Sequence, residues 1–209
     1  MGKEIHKMKK KICIVLIAIA LLVPSFAFAQ MFDISLGATA QYGANPLADP
    51  GKGWDWSGMG KIENWSFGGE LRLKVTLLEI DVVGLYNQYD AAGTTNHVIS
   101  GMFTGGLSLD LFDVVRLGVG MGPNISWNIT QNKFVLGESQ LSSFNDFGEG
   151  FMTAPMNYRA TADVMLGPVM LGVNYTVPTT FTFKAMEAKN LKPLWDYGRF
   201  GVSVLVSFF

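Results

Sequence analysis

The sequence predicts an all-β protein: an eight-stranded antiparallel up-and-down β-barrel that spans a membrane, with short turns at one end and longer loops at the other. Three observations carry this prediction. Apolar and polar residues alternate strictly in successive segments, which places them on opposite faces of a strand. Tight turns alternate with long loops along the chain. After the first 29 residues, no apolar run approaches the roughly 18 residues that a membrane helix requires.

The first 29 residues are predicted to be a secretory signal peptide. A lysine-rich start precedes the apolar run 12–23, and Ala27-Phe28-Ala29 forms an A-x-A cleavage motif. Removal of this segment leaves residues 30–209 as one barrel domain. The only cysteine, Cys13, is removed with it, so we expect no disulfide and no thiol chemistry in the mature chain.

The composition excludes some functions and leaves the class open. The predicted mature chain holds 11 basic and 16 acidic residues, which argues against a nucleic-acid-binding surface. Hydrophobic residues make up 49% of the sequence and charged residues 16%. Either a lipid-facing barrel or a soluble barrel with a large core has such a composition, so the residue pattern must decide between them.

The strands can be read from the alternation in order. The first, Phe32–Tyr42, has apolar residues at every even position and polar residues or glycine at every odd one. The third is the weakest, because Val83 and Leu85 fall on its otherwise polar face. After the first strand, seven more are predicted at 65–75, 80–90, 98–111, 114–128, 156–166, 169–178 and 195–208.

The connections between these strands alternate in length, as they do in bacterial membrane barrels. Turns of two or three residues are predicted at 77–79, 112–113 and 167–168. Longer loops are predicted at 44–64, 91–96, 129–155 and 179–194.

Alternation alone does not say which face points outward. In a secreted, soluble lipocalin-like barrel, the apolar face would surround a ligand instead of facing lipid. The opposite face here is rich in glycine, serine and threonine and carries charges of both signs, which suits a narrow, filled lumen. Lysine is nearly absent from the strands. Aromatic residues recur where strands meet loops or turns, as in membrane-interface girdles: Tyr42, Trp65, Tyr86, Trp127, Tyr158, Tyr175, Phe32 and Phe208.

These features resemble the small outer-membrane barrels of the OmpA, OmpX and OmpW kind. The resemblance covers residues 31–209 and rests on architecture, including a final strand, 200–209, that is similar to the family's C-terminal assembly signal. It implies a location in the bacterial outer membrane, contact with outer-membrane lipid, and recognition of the last strand by the barrel-assembly machinery. It also implies uptake of small hydrophobic molecules, as in the OmpW group.

The inward-facing charges are predicted to form a hydrogen-bonded network that closes the lumen. An eight-stranded barrel is only wide enough for side chains to fill it, and unpaired charges there would be costly. A gated ion path, in which Glu70 exchanges between basic partners, is the alternative. The predicted network contains five residues of each sign: Asp33, Glu70, Arg72, Lys74, Asp81, Asp110, Arg116, Arg159, Asp163 and Arg199.

The long loops hold many apolar side chains, which predict an outer vestibule for small apolar molecules. Alternatively, these side chains pack on one another or extend strands beyond the bilayer, or the loops bind a surface protein partner. A ligand could leave sideways through the wall near the third strand, Pro123 or Pro168. Five residues are predicted to contact the ligand: Trp54, Trp56, Phe134, Phe144 and Phe181.

We predict no metal site, no cofactor and no enzymatic activity. The predicted mature chain has a single histidine, His97, at the edge of a loop. The glycines at 118, 120 and 122 lie within a predicted strand with no helix after them, so they do not form a phosphate-binding loop.

Overall fold

The computed structural model describes residues 32–43, 56–91, 93–130, 133–136, 139–141 and 147–208. Ten strands are described within these ranges. Eight of them are long: β1 (Phe32–Tyr42), β2 (Trp65–Val75), β3 (Leu78–Ala91), β4 (Thr94–Leu111), β5 (Val115–Asn128), β8 (Met156–Leu166), β9 (Val169–Pro178) and β10 (Arg199–Ser207). Two short strands, β6 (Lys133–Leu136) and β7 (Ser139–Leu141), lie between β5 and β8.

The eight long strands form a closed antiparallel barrel, which confirms the predicted fold class. Each long strand pairs with the next along the chain, and β10 pairs with β1, so the wall has no free edge. The strands β6 and β7 form a hairpin that pairs with the loop end of β5 and stands outside the closed wall. Among the described residues, no helix has the length and apolar character needed to cross a bilayer.

The strands are strongly tilted against the barrel axis. A path through paired residues around the wall measures the stagger of the strands. The path from Phe32 returns to its own strand at Tyr42, ten residues further along. It passes through Val75, Leu78, Leu107, Val119, Ala160, Tyr175 and Phe200. At ~3.3 Å per residue and ~4.8 Å between strands, this stagger in eight strands gives a tilt of about 40°.

The wall is apolar outside and polar inside. On β5, Val119 on the outer face is 63% exposed, whereas Arg116 on the inner face is 1% exposed. The other strands repeat this arrangement, with exposed outer residues that include Leu36, Phe103, Leu171 and Val204. A lipocalin-like barrel would have the apolar face inside, so this alternative is wrong.

The turn between β2 and β3 lies one residue earlier than predicted. It is formed by Thr76 and Leu77, and β3 begins at Leu78. Glu79 therefore belongs to the strand, and its side chain faces the lumen instead of solvent, with 5% exposure. The turns at 112–113 and 167–168 lie at or next to the predicted positions, with positive φ at Phe112, Asp113 and Gly167.

Two long connections also differ from the prediction. The loop predicted at 91–96 is only a tight turn at Gly93, because β3 and β4 pair continuously out to Ala91 and Thr94. The last strand begins at Arg199 and not at 195, because Trp195–Tyr197 forms a 3-10 helix.

The predicted aromatic girdle is present only in part. At the turn end, Phe32 and Phe208 are 47% and 57% exposed, and at the loop end Tyr86 is 41% exposed. Tyr42, however, is fully buried, because the 3-10 helix Trp56–Gly60 lies over it and Trp65 packs against it with ring centroids 5.3 Å apart.

Candidate functional site: the barrel lumen

One cluster of buried ion pairs lies near the short turns. Arg116 lies at its centre: Nη2 is 2.7 Å from Asp33 Oδ2, and Nε is 2.7 Å from Asp110 Oδ1. Arg116 Nη2 also donates to Asp110 Oδ2 at 3.2 Å, so this contact is bidentate. The Lys74 ammonium forms an ion pair with the same Asp110 carboxylate. All four side chains are at most 6% exposed.

A second cluster lies at mid-height in the lumen. Arg72 Nε is 2.6 Å from Glu70 Oε1, and Arg72 Nη1 donates to Asp163 Oδ2. Arg159 Nη2 reaches the same Glu70 oxygen at 2.7 Å. Asp81 lies between the two guanidinium groups, 3.7 Å from Arg72 Nε and 3.6 Å from Arg159 Nε. Nine of the ten predicted charges are therefore brought together in these two clusters.

Glu79 joins these charges as an acidic residue that the sequence analysis missed. Gly118 faces it across the lumen, and a Cβ at Gly118 would lie 2.8 Å from Glu79 Oε1. The absence of a side chain there leaves room for the carboxylate. With Glu79 included, six carboxylates and four cations share this part of the lumen. Glu79 and Asp81 are both at odd-numbered positions, so the strand alternation places both side chains on the lumen face. The prediction missed Glu79 because it assigned residue 79 to the turn.

The half of the lumen nearest the short turns is tightly filled. Met170 and Leu205 face each other across the β9–β10 ladder at the turn end and are 1% and 0% exposed. Higher up, Gly172 lies against Asp163 so closely that a Cβ at Gly172 would overlap Asp163 Oδ1. Side chains thus occupy the lumen from the turns to mid-height.

A chain of polar side chains connects the second cluster with the outer half of the lumen. Ser203 Oγ donates to Glu70 Oε2 at 2.9 Å, and Asn174 Nδ2 donates to Ser203 Oγ at 3.1 Å. Gln41 Nε2 donates in turn to Asn174 Oδ1 at 3.3 Å. Gln41 also lines the cavity above, so hydrogen bonds link the floor of that cavity to the ion pairs below it.

The outer half of the lumen holds a cavity of about 520 Å³. Its lining is mainly apolar in surface and includes Leu85 and Met102, which form a small buried apolar cluster with Val83. These are the apolar residues of β3 and β4 that fall on the lumen face of the alternation. The cavity is lined by Gln41, Leu85, Ser100, Met102, Asn124, Pro155, Asn157, Thr176, Pro178, Leu194, Tyr197 and Arg199.

The loop between β9 and β10 forms part of the roof of this cavity and is fixed to the wall. Leu194 N donates to Pro178 O at 2.9 Å, and Tyr197 N donates to Leu194 O at 3.0 Å. Tyr175 stacks on Trp195 with centroids 6.3 Å apart, and its hydroxyl donates to Trp195 O at 3.4 Å. Leu194 and Tyr197 are thereby held over the opening of the barrel.

A short helix beyond the wall packs against the same loop. The helix Phe147–Thr153 accepts a hydrogen bond at Met152 O from Lys184 N, 2.8 Å away. Phe151 stacks on Phe183 with centroids 5.5 Å apart. The loop apolar groups described here thus pack on one another, which was the alternative to a ligand vestibule.

Arg199 does not belong to the charge network in which the sequence analysis placed it. It is the first residue of β10, at the loop end, and lines the cavity instead. Within the described part of the chain, no carboxylate lies within 4.0 Å of its guanidinium group. Alternation gives its inward direction correctly but not its height, which is above both clusters.

The predicted ligand contacts in the loops fall mostly outside what the structure describes. Trp54 and Phe144 lie outside the described residues. The backbones of Trp56 and Phe134 belong to a 3-10 helix and to β6, and their side chains are outside the description. Phe181 is half-buried and does not line the cavity. The described lining comes from the wall and the β9–β10 loop.

The strand pairing of the wall lacks two residue pairs at one place near the cavity, although β4 and β5 stay in contact there, since a Cβ at Gly122 would overlap Phe103 O. The β4–β5 ladder pairs Met102 with Asn124 and Gly105 with Met121 but omits the two pairs between them. Pro123 lies in this gap and has no backbone N–H to donate. The β3–β4 ladder is continuous, so the third strand is not a weak place in the wall.

No group of three or more histidine, cysteine, aspartate or glutamate side chains in the described ranges is arranged to hold a metal ion. His97 Nδ1 lies 2.6 Å from the Tyr86 hydroxyl on the exposed outer surface, away from the lumen.

Comparison with known proteins gives structural likeness only. No family model matches the chain, and no curated protein matches it. A de novo designed transmembrane β-barrel is similar with a TM-score of 0.45 and 12% identity, over 84% of this chain and 95% of that one.

Two natural proteins are similar at a comparable level. Ail, the attachment invasion locus protein of Yersinia pestis, in complex with the heparin analogue sucrose octasulfate, has a TM-score of 0.43 and 13% identity, over 84% of this chain and 95% of that one. Neisserial surface protein A has a TM-score of 0.41 and 15% identity, over 85% of this chain and 96% of that one.

Proposed function

We propose that this chain is an integral barrel of the bacterial outer membrane that is closed to bulk solutes and takes up small, mainly apolar molecules into its outer cavity. The observation that carries the proposal is the partly open, mainly apolar cavity of about 520 Å³ directly above a lumen filled with ion pairs. Such a volume is typical of small-molecule sites. The proposed role involves binding and limited permeation, with no catalytic step.

The outer surface supports the membrane part of the proposal. Large apolar side chains cover the outer face of all eight strands, and a continuous apolar surface of this size favours lipid over water. The last strand supports recognition by the barrel-assembly machinery, because Phe208 is 57% exposed on this outer face. Its N–H donates to Ile34 O at 2.9 Å, so the pairing with β1 continues to the end of the described chain.

The location is tested by cell fractionation together with gel migration of unboiled protein in detergent. We expect the protein in the outer-membrane fraction, with a faster-migrating folded band that shifts on boiling. Recovery in the soluble periplasmic fraction without detergent would contradict the proposal.

The cavity is tested by filling it. Ser100→Phe places a ring in the cavity, whereas Ala38→Phe places the same ring on the lipid-facing side of β1. We expect Ser100→Phe to abolish uptake of a labelled apolar probe into cells and Ala38→Phe to leave it unchanged. Equal uptake by both variants and the unmodified protein would show that probe uptake does not use the cavity.

The second candidate is a surface module that binds a partner protein. The β6–β7 hairpin favours it, because this hairpin extends the sheet beyond the closed wall and takes no part in closing the barrel. Removing residues 133–141 should leave probe uptake unchanged under the first proposal. Loss of adhesion with unchanged uptake would favour the second.

The two residue pairs missing from the β4–β5 ladder at Pro123 support a sideways exit of the ligand into lipid. The ion pairs close the path along the axis, and the missing β4–β5 pairs lie at the height of Met102, which lines the cavity. We therefore propose that the ligand leaves between β4 and β5, and not at the third strand or at Pro168.

A further inference from the structure

The cavity contains a single charged side chain among its lining residues, Arg199. The other four lumen cations each lie within 4.0 Å of at least one carboxylate. Arg199 has no such partner within the described ranges. Arg199 is half-buried at the mouth of an apolar cavity, where charges are screened less than in bulk water, so an anion that enters this cavity would be stabilised beside it.

The position of Arg199 is set by the wall. It pairs with Thr176 in the β9–β10 ladder, and Thr176 also lines the cavity. Its aliphatic stem runs past Gly43, where an added Cβ would lie 3.0 Å from Arg199 Cγ. Glycine at 43 thus leaves room for the stem, and the guanidinium group is held at the rim where the β9–β10 loop closes over the cavity.

The opposite side of the cavity carries two buried apolar side chains. Leu85 and Met102 are buried on β3 and β4, across the lumen from β10, and Leu194 and Pro178 contribute from the roof. Their strand partners Ser100 and Asn124 also line the cavity and are neutral. The cavity therefore presents one cation at one side and, at the other, hydrocarbon beside small neutral polar groups. A guanidinium group offers paired N–H donors in the geometry that a carboxylate accepts.

We propose that the ligand of this cavity is an amphiphile with one carboxylate head group, held by Arg199, and an aliphatic tail against Leu85 and Met102. This inference rests on the proposed uptake function and specifies its ligand class. The same chemistry serves a free fatty acid or a carboxylate released from a lipid, and both carry the head group and tail that the cavity recognises.

Decanoate and decanol test the inference, because they share a tail and differ in head group. Full-length barrel in nanodiscs is titrated with each probe, and bound molecules are counted by native mass spectrometry. We expect decanoate to bind about tenfold or more tightly than decanol, as a charge-assisted hydrogen-bonded pair predicts. Arg199→Gln should remove this preference, and Arg199→Lys should retain part of it.

Lys189→Gln is the matched control. Lys189 is an exposed cation of the β9–β10 loop, and its only described ion pair is with Glu187. It should leave both affinities unchanged. Equal binding of decanoate and decanol to the unmodified protein would overturn the carboxylate inference and leave the apolar cavity function intact. Failure of both probes to bind would overturn the proposed function itself. The comparison on the unmodified protein decides between these outcomes even if Arg199→Gln does not fold.

Discussion

The two halves of the lumen are enclosed by the same eight strands but are filled in opposite ways. In the turn-end half, buried carboxylates and cations contact one another, and Met170 and Leu205 close the bottom. In the loop-end half, apolar and small polar side chains surround an open volume with one cation at its rim. The wall alternation is the same in both halves. The halves differ in their inward side chains. Those of the turn-end half are long and carry charges of both signs, so they fill the space themselves, whereas those of the loop-end half leave part of it open.

The largest expected loss in the free energy of unfolding comes from removing a central charge in the turn-end half of the lumen. Arg72→Ala leaves Glu70 and Asp163 without their shared guanidinium partner, so we expect a loss of about 3–5 kcal/mol in the free energy of unfolding. Urea unfolding from lipid vesicles measures it, and planar-bilayer conductance should rise.

The control for Arg72→Ala is Lys189→Ala, which removes an exposed ion pair with Glu187 and should cost less than about 1 kcal/mol. Similar losses for the two variants would contradict the importance of burial. Large, porin-like conductance of the unmodified protein would contradict a closed lower half.

Truncating one leucine in each half compares their packing directly. Leu205 is 0% exposed in the filled half, and Leu85 is 5% exposed beside the cavity. Leu205→Ala should cost about 4 kcal/mol and Leu85→Ala about 2 kcal/mol, because Leu85 already borders empty space and loses fewer contacts. Equal losses in urea unfolding would mean that the two halves are packed alike.

A single methyl group tests how full the lower half is. Gly172→Ala would push Asp163 away from Arg72, at an expected cost of about 1–3 kcal/mol. Gly84→Ala is the matched variant, because nothing lies within 4 Å of a Cβ at Gly84. The same unfolding assay should show a loss for Gly172→Ala alone, and tolerance of both changes would contradict close packing at Asp163.

The smallest effect is expected outside the lumen, at the turn between β4 and β5. Phe112 and Asp113 both have φ of 54°, the left-handed region that favours asparagine and glycine in such turns. Phe112→Asn should therefore raise the free energy of unfolding by up to about 1 kcal/mol. A loss of stability as large as that of Arg72→Ala would show that the turn end as a whole is sensitive, and not the ion pairs in particular.

The alternation was sufficient to predict the wall, since a period of two fixes which side chains face the lumen once closure is assumed. It could not predict what those side chains contact. Arg199 and Arg159 both face inward, but among the described residues only Arg159 reaches a carboxylate, because contact depends on height in the barrel. Height depends on the stagger between strands, and the sequence carries no direct signal for that.

The residues that break the apolar–polar alternation indicate where the cavity lies. Val83 and Leu85 interrupt the polar face of the third strand, and apolar side chains on a lumen face indicate an apolar region of the lumen. The loop aromatics were more prominent in composition, but Phe181 packs outside the cavity. Of the five predicted loop contacts, only Phe181 has a described side chain, and the described apolar lining comes from the wall and the β9–β10 loop.

The stagger of ten residues also determines how the barrel would sit in a bilayer. A strand tilted by about 40° advances ~2.5 Å along the axis per residue, so the apolar band of ~25 Å needs about ten residues. At nine residues, β10 has about this height, whereas β4 has 18 residues and would reach roughly 20 Å further. The rim is therefore uneven. The β3–β4 hairpin would rise well above the head groups, and the lower side at β10 is covered by the β9–β10 loop, so a large molecule would meet that hairpin or that loop before the barrel mouth.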